Sequence, residues 1–247
     1  MSQNQMSAHE SPAYARIVLK LSGEALAPEG TLGIDPDRAE DIAEKIKAVH
    51  ALGVQIVIII GGGNLWRGER GVKRGMNQSI ADQMGMIATV MNALALREAL
   101  EHYAVPTRVQ TAVPMNTIAE PYIRLRAIRH LEKGRIVIIA GGTGNPFFTT
   151  DSAAALRAAE LRANIVIKAT KVNGVYDADP NKVPDAKRYT HLTYDKVIAD
   201  QLEVMDMTAF TMCRENRMPI IVLDFWSPDA LRRAVLGDTS VGTLIEG

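Results

Sequence analysis

Short apolar runs broken by glycine and proline set the rhythm of this chain. Arg16 to Leu21, Val54 to Ile60, Ile136 to Ala140 and Ile165 to Ala169 are rich in Ile and Val and show no polar alternation. Such runs predict strands covered on both faces, as in the interior of a parallel sheet. Further strands are predicted over Val105 to Val113, Pro219 to Asp224 and Gly242 to Glu246. Helical periodicity fills the gaps. Asp35-Pro36 supplies an N-cap and a first-turn proline for a helix to Leu52, with Ile42, Ile46 and Val49 on one face. Helices are also predicted over Ile80 to Tyr103, Pro121 to Lys133, from Asp151 through AAALRAAEL, and over Thr193 to Glu203, Asp206 to Arg217 and Ser227 to Leu236. Strand and helix in alternation imply an α/β fold with a mainly parallel sheet, whose ligands sit beyond the carboxyl ends of the strands.

Three glycine-containing turns fall at such ends. Arg135 to Asp151 reads strand, then Gly141, Gly142 and Gly144, then Asn145-Pro146, then Thr149-Thr150-Asp151 opening a helix. Unpaired backbone N–H groups and the positive end of a helix dipole make this an anion cradle; a capped βα turn that binds nothing has the same local signals. Gly61-Gly62-Gly63 follows the second strand and leaves backbone N–H groups open to close approach. Arg67, four residues on, can grip a phosphate or simply be solvated. Lys20 ends the first strand before Ser22-Gly23; buried among Ile, Val and Leu it needs an anion, unless it snorkels from an edge. Asp82 lies near a helix's positive end, close enough to the GGGN turn to reach a ligand hydroxyl. Asp206 caps a helix, a local role that explains it without catalysis. The Thr170 to Pro180 loop carries Tyr176, which suits either a wall beside a base or a surface loop.

On the long helix from Ile80 to Tyr103, Ile80, Met84, Ile87, Met91 and Leu94 recur at spacings of four and three, a seam suited to packing on a second subunit. The polar arm over residues 1–13 reads as disordered and lacks a secretory signal, and no apolar run approaches the ~20 residues of a membrane span. Residues 14–167 and 168–247 read as two lobes of one sheet rather than independent domains. With formal net charge zero there is no global basic field for nucleic acid, so an anionic ligand must be held locally. The single cysteine, Cys213, excludes an internal disulfide and reads as a buried thiol, which points to a reducing, cytoplasmic setting. The five histidines have no ligand spacing, and neither a P-loop nor a dinucleotide fingerprint is complete. A site of backbone donors, Lys, Arg and aspartates remains, which suits phosphoryl transfer.

The motifs KLSGEAL (Lys20 to Leu26), IIIGGGNLWRG (Ile58 to Gly68), DQMGMIATVMNALAL (Asp82 to Leu96), GGTGNPFFTTDSAA (Gly141 to Ala154), KATKVNGVYDADP (Lys168 to Pro180) and VMDMTAF (Val204 to Phe210) together resemble the bacterial uridylate kinases of the amino acid kinase family. The resemblance implies a three-layer αβα sandwich and a reaction of ATP with UMP giving ADP and UDP, in pyrimidine nucleotide biosynthesis. It implies ATP contacts from Lys20, Leu21, Ser22, Gly23, Gly63 and Arg67, with Thr170, Tyr176 and Asp179 lining the nucleoside pocket. UMP would be held by Gly62, Asp82, Thr143, Gly144, Asn145, Pro146, Phe147, Phe148, Thr149 and Thr150. Lys20, Asp151 and Asp206 match catalytic positions, with Mg²⁺ carried mainly by the ATP phosphates rather than by a protein site. Arg97, Arg108 and Arg135 match positions linked to activation by GTP; UTP inhibits in the family, which forms hexamers of dimers. Asn164, Asn173 and Glu101 depart from the family pattern and bear on effector control. Another family activity, on a carboxylate or carbamate, and a non-catalytic nucleotide sensor are the alternatives.

Overall fold

The computed structural model describes residues 11–28, 30–180 and 182–247. In chain order the elements are β1 (Arg16–Leu21), α1 (Pro36–His50), β2 (Gln55–Ile60), α2 (Gly68–Val72), α3 (Gln78–His102), β3 (Thr107–Thr111), β4 (Glu120–Pro121), α4 (Arg124–Glu132) and β5 (Ile136–Ala140). They continue with α5 (Thr150–Leu161), β6 (Ile165–Thr170), β7 (His191–Thr193), α6 (Tyr194–Ala199), α7 (Met207–Glu215), β8 (Ile220–Asp224), α8 (Ala230–Val235) and β9 (Gly242–Glu246). One sheet orders the strands β4-β3-β5-β2-β1-β6-β8-β9-β7. Its pairs are parallel except β8 with β9. The α/β architecture and the mainly parallel sheet are as the apolar runs predict. Of the arm expected over residues 1–13, residues 1–10 lie outside the described residues, and Ala13 is already tied down, its N–H donating to Val235.

Alternate residues of the central strands feed two cores. Ile17, Leu19 and Leu21 pack with α1, α3 and α8, whereas Val18, Val57 and Ile59 pack with α4, α5 and α7. This is the period-two geometry of a strand sandwiched between helical layers. Lys20 shares the face of Val18, and it lies in a central strand, not at an edge.

Several boundaries differ from the sequence pattern for local reasons. Pro121 does not open α4 but sits in β4, the edge strand, where its missing N–H costs no ladder bond. The helix expected from Ser227 starts only at Ala230, because Asp224 takes the Trp226 N–H (2.9 Å) and the Ser227 hydroxyl (2.7 Å), and Asp229 is left-handed at φ 53°. The helix expected to reach Glu203 stops at Ala199, before Gln201 at φ 51°. The segment after Gly63, read as loop, contains the short α2, and Gly23–Leu26 forms a 3-10 turn.

The buried side of α3 carries polar residues that hold two glycine turns in place. Asn92 is fully buried and donates to the Gly61 carbonyl (2.7 Å) and to Asn64 Oδ1 (2.7 Å). Asn64 donates back to Asn92 Oδ1 (3.0 Å) and to the Gly33 carbonyl (2.7 Å). One turn earlier on α3, Thr89 Oγ1 accepts the Gly141 N–H at 2.8 Å. The turns after β2 and β5 are thus referenced to one helix. Asn92→Ala removes the donor to the buried Gly61 carbonyl and to Asn64 Oδ1, leaving the Asn64 amide only its bond to Gly33, and is expected to cost about 2–3 kcal/mol in urea unfolding. A loss below about 0.5 kcal/mol, the range of neutral surface changes, would show that the pair is dispensable.

Candidate active site

Three chain ends meet above β1, β2 and α5. A Cβ added at Gly23 would lie 2.5 Å from the Gly61 carbonyl and 2.4 Å from Asn64 Oδ1; one at Gly61 would lie 3.1 Å from the Gly23 nitrogen and 3.5 Å from Thr150 Oγ1. The turns after β1 and β2 touch only because both residues are glycine, and the start of α5 closes against them.

Beneath this junction Asp151, in the first turn of α5, bridges two lysines. Its Oδ1 is 2.6 Å from Lys20 Nζ on β1, and its Oδ2 accepts from Lys168 Nζ on β6 at 2.8 Å. Burial alone would raise the Asp151 pKa, but the two ammonium groups outweigh it and hold the carboxyl below the usual carboxylate range. Lys168 is pulled below the usual lysine range, chiefly by burial and also by Lys20, with Asp151 only partly offsetting them. Two cations share this one anion in direct contact, and the Asp206 carboxylate acts on Lys168 from farther off.

Asp206 caps α7, accepting the Ala209 N–H at 2.9 Å. It also accepts from the hydroxyls of Thr149 and Ser152, so the caps of α5 and α7 are linked. Thr149 in turn accepts the N–H groups of Asp151 (3.0 Å) and Ser152 (3.3 Å). Cys213, behind this junction, is buried and its thiol is pushed up to about 12, first by burial and then by Asp151 and Asp206, which leaves it un-ionised at neutral pH.

Two clefts adjoin this region, one lined by the bridge lysines and one by the residues just before Asp151. One, of about 320 Å³, is lined by Gly62, Gly63, Asp82, Thr143, Phe148, Thr149 and Thr150, together with Trp66 and Thr89. Gly144, Asn145 and Pro146 belong to the same turn but do not line the cleft, and Phe147 enters through its backbone: its N–H donates to Asp82 Oδ2 at 2.8 Å with φ at 70°. Gln78 donates to the other Asp82 oxygen at 2.8 Å. The second cleft, of about 220 Å³, is lined by Lys20, Leu21, Ser22, Lys168 and Thr170 and walled by Phe225 and Trp226. Tyr176 and Asp179 do not line it; Tyr176 donates to Asn173 within its own loop. Arg67 is turned onto Glu24, as an exposed ion pair.

Arg97 and Arg108 line a separate cleft of about 660 Å³ that includes Glu101, which pairs with Arg108 at 3.5 Å. Arg135 is outside its lining and donates to His130 Nδ1 at 3.0 Å, while His130 Nε2 lies 3.0 Å from Glu120, a lining residue. Because an arginine can only donate, His130 carries its proton on Nε2. Asn164 accepts the Arg16 N–H at 2.8 Å, an ordinary structural tie between β1 and the start of β6.

Sequence reasoning did not single out Lys168, Ser152, Asn64, Thr89, Asn92, Phe225 or Trp226. The signal for Lys168 was the same as for Lys20, a lone lysine ending an Ile/Val strand. Among the described residues no cluster of three or more His, Cys, Asp or Glu side chains could hold a metal, and no helix is long and apolar enough to cross a membrane.

The family model of the amino acid kinase family matches residues 15–224. The solved UMP kinase of Bacillus anthracis is similar over 94% of this chain and 96% of its own, at 40% identity and TM-score 0.91. The UMP kinase of Ureaplasma parvum matches at 36% identity and TM-score 0.88, covering 94% of this chain and 98% of that one. The uridylate kinase of Archaeoglobus fulgidus matches at 27% identity and TM-score 0.71, covering 93% and 99%.

Removing the shared anion leaves two buried ammonium groups facing each other. Asp151→Asn is therefore expected to lower stability by about 3 kcal/mol at pH 7 in urea unfolding. A depressed native carboxylate stabilises above its unfolded value, near 3.9, and loses that contribution as pH falls through the native value. The deficit of the variant should persist down to about pH 4 and close only below it; equal stability at pH 7 would contradict the bridge.

Proposed function

The chain belongs to the amino acid kinase family, and on that premise we propose that it transfers the γ-phosphoryl group of ATP to UMP, giving ADP and UDP for pyrimidine nucleotide biosynthesis. The observation that carries this reading is the Lys20–Asp151–Lys168 bridge, with one cleft lined by its two lysines and another reaching Thr149 and Thr150 beside Asp151. UMP occupies the cleft of Asp82 and the Thr143 to Thr150 turn, its ribose hydroxyls taking over from Gln78 and the Phe147 N–H as donors to Asp82. The ATP phosphates lie over Lys20, Ser22, Gly23, Gly63 and Arg67, with the nucleoside toward Thr170 and the Tyr176 to Asp179 loop. On this reading the first lobe, residues 14–167, holds UMP and the subunit contact, and residues 168–247 hold the ATP nucleoside.

The chemistry asks for little beyond alignment. A UMP phosphate oxygen, ionised at neutral pH, attacks the γ-phosphorus while the bond to the bridging oxygen of ADP breaks, so no general base is required. Repulsion between two polyanions is the main barrier, and the excess positive charge of the two lysines, the glycine N–H groups and the α5 terminus oppose it. Asp151 keeps both ammonium groups aimed at the rim, and Asp206 fixes the two helix starts that frame it. Asp151 is already shared by two lysines and the described residues offer no cage of ligands, so Mg²⁺ would arrive on the ATP phosphates, with Asp206, which is hydrogen-bonded but in no ion pair, the carboxylate that would face it. Bound there, it would neutralise phosphate charge.

Arg97 and Arg108, beside a roomy polar cleft, are the residues that would take GTP, with Arg135 acting through His130; UTP would compete at the UMP cleft. The α3 seam supports self-association to dimers and on to a hexamer, since Ile80, Met84, Ile87 and Met91 are 37–51% exposed along one face. The sole thiol and the nucleotide substrates suit the cytoplasm.

In a coupled assay with Mg-ATP, UMP should elicit ADP release, while N-acetylglutamate and carbamate should not; turnover of either of those in preference to UMP would overturn the substrate assignment. Lys20→Ala or Asp206→Asn is expected to lower kcat by at least about 100-fold with the fold retained, and near-normal kcat in either variant would refute its catalytic role. In sedimentation, Ile87→Asp should shift the protein toward monomer; a parent chain that already runs as monomer would sink the seam's assignment.

A further inference from the structure

A cleft of about 1030 Å³ has Trp66 as a wall in common with the Asp82 cleft. Its walls combine apolar and cationic side chains. Leu32, Leu65, Trp66 and Met76 give it an apolar lining, and Arg67, Arg70, Lys73 and Arg74 supply cations. The arginines recur at spacings of three and four across α2 and its continuation, where the Lys73 and Arg74 N–H groups still bond Glu69 and Gly71. They therefore share one side of a helical turn, where like charges repel. The acid of this segment, Glu69, is engaged at 2.5 Å by Lys73, and Arg67 has Glu24. Arg70 and Arg74 make no side-chain hydrogen bond or ion pair among the described residues, although both line the cleft.

The indole is held, not loose. Trp66 Nε1 donates to the Ala81 carbonyl at 2.8 Å, and Gly71 admits the ring edge: a Cβ there would lie 3.0 Å from Trp66 and 3.2 Å from the Met76 sulfur. A fixed aromatic face beside unpaired guanidinium groups matches a flat base joined to a polyanion.

We propose that this cleft is a further nucleotide site, distinct from the two catalytic clefts and from the Arg97–Arg108 cleft, taking a nucleoside triphosphate with its phosphates on Arg70 and Arg74 and its base against Trp66, and bordering the catalytic rim at Arg67. Trp66 also lines the Asp82 cleft, so occupancy on one side is felt on the other. The proposal does not depend on which acceptor the enzyme phosphorylates.

Equilibrium dialysis of the full chain with a β,γ-imido ATP analogue tests it. The parent protein should bind one more equivalent per chain than Arg70→Ala/Arg74→Ala, and Arg70→Lys/Arg74→Lys should bind that equivalent at least about tenfold more weakly than the parent, since lysine cannot make the bidentate contact. Both residues are exposed and unpartnered, so circular dichroism of the variants should match the parent. Inorganic triphosphate should displace the extra equivalent only at concentrations at least about tenfold higher than the analogue, reflecting the lost stacking. Equal stoichiometry in parent and alanine variant would overturn the site, and triphosphate competing as well as the analogue would overturn the assignment to a nucleotide.

Discussion

The structure depends on a charge imbalance it has to keep. Two strands from distant parts of the chain, β1 and β6, each carry a lysine near the carboxyl end on the same face, and one carboxylate at the start of α5 lies between them. In register, Lys20 stands directly beside Lys168 in the parallel pair. Without Asp151 that register would place two partly buried cations side by side; with it, the bridge itself sums to one positive charge, offset in part by Asp206 from farther off. Burial lowers the pKa of Lys168, which marks the bridge as a site where a further anion is welcome. The same contact that makes the pairing of β1 with β6 tolerable therefore makes the rim attractive to phosphate.

Around that charge, α3 serves two masters with its two faces. The inner face fixes the backbone through Asn92 and Thr89, one for the turn after β2 and one for the turn after β5, so the glycine N–H groups are held by buried side chains rather than left to loop flexibility. Asn and Thr in the middle of a buried helix face are costly unless every polar atom is paired, and here the pairing is with the site's own backbone. The outer face carries the exposed apolar seam. A subunit packed on that seam would stiffen the element on which both turns are referenced, which links assembly to the geometry of the rim.

Much of this was legible in the chain. Strands with no polar alternation announced a sheet covered on both faces, and glycines at their carboxyl ends announced where ligands go. Lys20, Gly61 to Gly63 and Thr149 to Asp151 do converge, because parallel strands all end at one rim. What the pattern could not reveal were relations across the sheet. Lys168 looked like Lys20 but acquires its meaning only from the register of β1 with β6 and the reach of Asp151. Asn92 and Thr89 were hidden in a helix whose apolar stripe drew attention to the opposite face. Phe225 and Trp226 follow a strand end that holds no glycine, so no cradle signal marked them, yet they wall the cleft beside Lys20. Local chemistry also moved boundaries: Asp224 caught two donors and delayed α8.

The account requires that donor and acceptor nucleotides meet over the paired lysines. A crystal structure with a β,γ-imido ATP analogue and UMP bound together tests this most directly. The terminal phosphoryl group should lie between the turns after β1 and β2, within hydrogen-bond reach of the Lys20 ammonium, with the UMP phosphate on the Thr143 to Thr150 side. A terminal phosphate seated elsewhere, with Lys20 still committed to Asp151 and Lys168 to Asp151 and the Val204 carbonyl, would contradict it.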